Sequence, residues 1–149
     1  MRILAATDGS APASRAVELA ARLTRKLNGN LKIVHVVTES DAADEEMSEY
    51  AHSEHQETAA EAATAFSEEK LRIAREKAES LGVQNVETAS VQELQAGAIA
   101  DTIIDAAQRN EADMIVMGKR GLSRLSGLIV GSVSQKVVST ATCAVVVVP

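Results

Sequence analysis

The sequence predicts an α/β domain of the doubly wound type, a five-stranded parallel sheet with helices on both faces (Rossmann-like). Two observations carry this. Apolar runs alternate with helix-periodic segments along the whole chain, and the runs are nearly continuously apolar, as in strands covered on both sides. A third observation bounds it. With 149 residues, 2 prolines and no internal repeat or proline-rich linker, the chain has the length of one domain, residues 1–149.

Taken in order, residues 3–6 and 31–37 read as the first two strands, and a weaker third falls between 86 and 95. Residues 114–117 make the fourth and Ala144–Val148 the fifth. Between the first two, Ala13, Ala16, Val17, Ala20, Leu23 and Leu27 mark one helical face. Ser10 and Pro12 sit at its entry and Gly29 just past its end. Phe66, Ile73, Ala74, Ala78 and Leu81 repeat the helical period, with Gly82 as the stop. Ala100, Ile103, Ile104 and Ala107 give a third helix, and Val133, Val137, Val138 and Ala141 a fourth. Residues 39–57 differ in texture, being acidic and poor in large apolar groups; they predict a mobile, solvated connection, partly helical at most. His52 and His55 lie there beside Glu49 and Glu54 and read as a solvated acidic face, since zinc needs a third ligand and defined surroundings.

Composition excludes several functions. One Phe, one Tyr and no Trp leave almost nothing for bases to stack on, and a net charge of −6 disfavours nucleic acid and anionic membranes. Positive charge is local instead, at Lys119, Arg120 and Arg124. The single Cys143 rules out an internal disulfide, fits a reducing compartment, and reads as a small buried hydrophobe. Asp8 interrupts the N-terminal apolar run too early for a signal peptide, and no run reaches the ~20 apolar residues of a membrane span. A soluble cytoplasmic protein is expected.

The strand ends carry the chemistry. Residues 114–117 run directly into Gly118-Lys119-Arg120-Gly121, and nine residues later Gly131-Ser132 opens the fourth helix. A strand feeding a glycine loop and then a helix N-terminus suits a phosphate, because N–H groups approach closely and the helix end is partly positive. The first strand ends in Thr7-Asp8-Gly9-Ser10. If the first and fourth strands are neighbours, Asp8 and Gly118 flank one crevice at the reversal of winding, fit for a nucleotide. Plainer readings stand beside these: glycines as turns, Ser132 as an N-cap, Asp8 as a cap of the first helix, and His35 as a packed, hydrogen-bonded core histidine. No Gly-x-Ser-x-Gly elbow occurs.

With these blocks in this order, the chain resembles the universal stress protein family over nearly its full length. The matching blocks are residues 3–10, 33–37, 112–118, and Gly118-x2-Gly121-x9-Gly131-Ser132, which looks like that family's ATP-binding signature. The resemblance implies ATP, or AMP or ADP, bound with Mg. Asp8 would lie near the ribose or the nucleotide-bound Mg, over a floor of Ala6 and Thr7, with the Val36 backbone at the adenine edge. Gly118, Gly121, Gly131 and Ser132 would hold the phosphates, and Met117, Arg120, Val133 and Ser134 would complete the wall. The chain departs from the family pattern at Gly97-Ala98-Ile99, at Cys143-Ala144 and at Lys119.

The resemblance further implies a homodimer, or a tetramer, through the last strand. An apolar edge strand of four valines independently invites such pairing. It implies a regulatory module that switches oligomer or partner with nucleotide, the partner being a transporter or another regulated protein. Arg124, Leu122, Leu125, Leu128 and Ile129 would form the nucleotide-dependent surface. Two alternatives remain: a slow ATP hydrolase or phosphotransfer enzyme, for which no dedicated base or Walker-type lysine is visible, and a nucleotide-free dimeric scaffold.

Overall fold

Strand β1 (Arg2–Ala6) leads into α1 (Ala11–Lys26), then β2 (Asn30–Val37), α2 (Ala59–Ser80) and β3 (Val86–Gln92) in the computed structural model. There follow α3 (Ile99–Arg109), β4 (Met114–Gly118), α4 (Ser132–Thr140) and β5 (Ala144–Val148). The structure describes residues 1–38, 59–119 and 131–149. The acidic 39–57 segment with His52 and His55 lies outside the described residues.

The sheet has five strands in the order β3-β2-β1-β4-β5, all parallel. The chain builds outward from β1 through β2 to β3, then returns to the other side of β1 for β4 and β5. Winding therefore reverses between β1 and β4, where Ala6 pairs with Met117. Alternation along each strand divides the core in two. Ile3, Ala5, Leu31, Ile33 and Val116 face α1 and α2 through Ala16, Val17, Ala20, Leu71, Ala74 and Ala78. Leu4, Val34, Val36, Ile115 and Met117 face α3 and α4 through Ala100, Ile103, Ile104, Ala107 and Val137. Among the described residues no helix is long and apolar enough to cross a membrane.

Three details differ from the sequence expectation. Leu27, expected on the helical face, is instead the C-cap and 45% exposed; Gly29 does lie just past the helix end, while Asn28 takes the left-handed turn at φ 48°, a conformation asparagine tolerates. Gly29 is required by proximity, since a Cβ there would lie 2.4 Å from the Met1 carbonyl oxygen, which accepts from the Asn30 N–H. Ile73 is 55% exposed, because the buried stripe of α2 runs through Ala63, Ser67, Leu71, Ala74 and Ala78. Val138 is likewise exposed, and only Val137 of that pair is buried. Gly82 does end α2, at φ +88°.

Candidate functional site

At the carboxyl end of β1, the Thr7 N–H still reaches the Val34 carbonyl at 2.9 Å, so the strand direction persists one residue past Ala6. The chain then turns. The Gly9 N–H donates to Thr7 Oγ1 at 3.2 Å and the Ser10 N–H to Asp8 Oδ1 at 3.0 Å, an Asx-type turn around a left-handed Gly9 at φ +82°. Ser10 is the N-cap of α1, its Oγ accepting from the Ala13 N–H at 3.3 Å. Asp8 thus does not cap the helix: its carboxylate shapes the turn before it, half-buried over a floor of buried Ala6 and Thr7.

β4 delivers the opposite wall. Met117 and Gly118 are buried, beside Ala6 and under the start of α1. A Cβ on Gly118 would sit 2.9 Å from both the Pro12 carbonyl carbon and the Ala13 nitrogen. The glycine is therefore demanded by the approach of α1, a packing reason distinct from the phosphate role read from its motif. Lys119 is a hub. Its N–H donates to the Val148 carbonyl at 2.6 Å, and its own carbonyl accepts from the Gly131 N–H and from Ser134 Oγ, each at 2.9 Å. Ser134 Oγ also lies 3.0 Å from the Gly131 carbonyl. The chain leaves after Lys119 and returns at Gly131 to the same point, clamped by the buried Ser134 hydroxyl. Arg120 and Gly121, with Leu122, Arg124, Leu125, Leu128 and Ile129, lie outside the described residues.

Gly131, not Ser132, is the N-cap of α4, extended at φ −68°, ψ 154°, with no side-chain cap. Ser132 is the first helical residue and exposed, and Val133 is half-buried. The first intrahelical bond runs from the Gln135 N–H to the Gly131 carbonyl at 2.9 Å. The N–H groups of Ser132, Val133 and Ser134 thus precede the helical ladder and face out of its positive end, at the same end of the sheet as Asp8.

The third wall is β2. The Val34 carbonyl points to β1, and the Val37 carbonyl points to β3, where it accepts from the Glu93 N–H at 3.0 Å. By strand alternation Val36 therefore directs its N–H and C=O toward the β1 side. β1 has already ended there, its last pair being Ala6 with Val34. Val36 so directs a donor and an acceptor into the space past the end of β1, while its buried side chain faces α3.

His35 points to the other face. It is 2% exposed, with Nδ1 2.9 Å from Ser67 Oγ and Nε2 3.3 Å from Lys70 Nζ. Sequence reasoning found His35 and its packed character but missed Lys70 and Ser67, which are polar residues in a helix whose other inward positions are apolar. Cys143 lies at the opposite end of the sheet, lining a cavity of about 280 Å³ with Ile104, Gln108, Glu111 and Ile115. Cys143 is half-buried rather than buried as expected, since it leads into the edge strand β5, and desolvation pushes its thiol pKa up.

A family model described as the universal stress protein family matches residues 1–149. The chain belongs to that family. A universal stress protein of Thermus aquaticus is 34% identical over 98% of this chain and 96% of its own length. The Bacillus subtilis universal stress protein YxiE is 32% identical over 99% and 97%. Among solved structures, a universal stress protein in complex with cAMP is similar at 28% identity and TM-score 0.71, covering 100% of this chain and 97% of that one. A universal stress protein from Lactobacillus plantarum aligns at 25% identity and TM-score 0.75, over 100% and 97%. One from Archaeoglobus fulgidus in complex with dAMP shares the fold at TM-score 0.66 and 20% identity, over 100% and 98%. The five-stranded α/β architecture is thus that of the universal stress proteins.

Proposed function

We propose that the chain is a regulatory protein that binds an adenine nucleotide, ATP with Mg foremost, in the crevice between the ends of β1, β2 and β4. One observation carries the reading: β1 and β4 are adjacent, so the Asp8 turn and the N-terminus of α4 open onto one crevice at the reversal of winding. The donor set suits the ligand. Three N–H groups at the α4 N-terminus suit phosphates, with Lys119 nearby, and the Val36 main chain offers the acceptor–donor pair that an adenine edge requires. Asp8 takes the ribose hydroxyls or the Mg on the phosphates, and Gly118, Met117, Gly131, Ser132, Val133 and Ser134 form the wall. Arg120 and Gly121 complete the cradle in this reading. The relative that holds cAMP supports an adenylate as ligand class. Occupancy then biases the partner or the oligomer that the protein favours, the homodimer being formed through β5.

Gly131→Asp tests the site cleanly. The extended Gly131 backbone accepts aspartate without strain, and aspartate is itself a good N-cap, so the fold should keep its stability. Its carboxylate would occupy the helix end and repel phosphate. Freshly purified protein is denatured and the released nucleotide identified by chromatography and mass spectrometry, with ATP–Mg titrated calorimetrically. Adenine nucleotide in the wild type, with affinity at least about tenfold weaker in Gly131→Asp, is expected. A wild type that carries none and binds no added ATP rejects the reading and leaves a scaffold.

A further inference from the structure

Lys70 projects from α2 onto the back of the crevice and touches two of its walls. Its Cγ, Cδ and Cε lie 3.4–3.5 Å from where a Cβ on Gly9 would stand, so the stem lies along one side of the exposed left-handed turn that carries Asp8. Its Nζ lies 3.3 Å from His35 Nε2, one residue before Val36, and 4.0 Å from the centroid of the Phe66 ring. One side chain therefore bears on the neighbours of both residues that the adenosine moiety uses.

Hydrogen-bond direction makes this more than contact. An ammonium only donates, so His35 Nε2 accepts and the imidazole is neutral, with its proton on Nδ1. That proton goes to Ser67 Oγ at 2.9 Å, and the Ser67 proton is then left for Ser90 Oγ at 2.6 Å on β3. A chain ordered from Lys70 thus runs through β2, α2 and β3, and its head rests on the β1 turn. We infer that Lys70 is a positioning residue of the nucleotide site, setting the separation of Asp8 and Val36 through Gly9 and His35. The inference rests on the nucleotide reading above and adds a residue to it.

Because Lys70 acts at the adenosine end, its loss must weaken adenosine and ATP alike. Lys70→Met keeps the stem over Gly9 and removes the donor. Titrations should show both ligands weakened by about tenfold, with their ratio unchanged, the scale of one lost charge-assisted hydrogen bond. A loss confined to ATP would make Lys70 a phosphate ligand and overturn the proposal, as would two unchanged affinities. The wild type supplies a test independent of any variant. Its His35 ring nitrogens should give the ¹⁵N NMR signature of the Nδ1-protonated tautomer, and these signals should move when adenosine is added. Unmoved signals, or an Nε2-protonated ring, also overturn it. A wild type that binds neither adenosine nor ATP fails at the earlier reading instead, and the two failures are thereby distinct.

Discussion

At Gly118 there is no room for a methyl group. The atoms a Cβ would meet, at 2.9–3.0 Å, belong to Pro12 and Ala13 at the first turn of α1, mostly backbone that cannot rotate aside. Gly118→Ala should therefore cost about 1–3 kcal/mol, the usual scale of overpacking, read as a lowered denaturation midpoint at unchanged slope. A variant of wild-type stability would show that α1 can slide on the sheet. The same scale explains which residues of the candidate site were readable. Asp8 and Gly131 carry their chemistry in their own type and position, a carboxylate at a strand end and a small residue at a helix start. Gly118 stands at the end of the fourth strand, but the packing reason for its being glycine belongs to a helix more than a hundred residues earlier in the chain. Ser134 gave no sign that its hydroxyl closes the loop base onto the Lys119 carbonyl.

The elements were legible where one face is uniformly apolar. The α3 set Ala100, Ile103, Ile104 and Ala107 is wholly buried, as its period predicts. In α2 a polar residue sits in the stripe: Ser67 is fully buried because His35 and Ser90 occupy its hydroxyl. The apolar Phe66 and Ile73 therefore suggested a face rotated from the true one. Leu71→Ala should cost about 2–5 kcal/mol, whereas Ile73→Ala should stay within ~0.5 kcal/mol, both measured by urea unfolding. Comparable costs would restore the face centred on Ile73. β3 was blurred for a different reason. It is an edge strand with alternating exposure, so its sequence lacks the continuous apolar run of β2 or β4.

For the whole molecule, the exposed edge at β5 is the feature with most consequence. The Val148 carbonyl accepts from Lys119 and the Ala144 N–H donates to Asp113, so Ala144, Val146 and Val148 spend their main-chain groups on the β4 side. The Val145 and Val147 groups face outward, along an edge of partly exposed valines. We expect a dimer paired along this edge. Val147→Pro deletes an outward N–H while sparing the β4 ladder. Light scattering after size exclusion should then read a dimer for the wild type and a monomer for the variant, with circular dichroism unchanged. A wild-type monomer at micromolar concentration would refute edge pairing.

The sequence alone determined the fold class, the order of strands and helices, and the glycine that ends the fourth strand, since periodicity and helix-start signals are local and each residue reports its own surroundings. The tertiary structure decided that β1 lies beside β4, which puts Asp8 at the same end of the sheet as the α4 N-terminus, and that β2 outruns β1, which leaves the Val36 main chain facing the space past the end of β1. It also decided that Lys70 and His35 meet across 35 positions. Those facts depend on how distant elements pack and register against one another, and packing between residues far apart in the chain leaves no period in either partner.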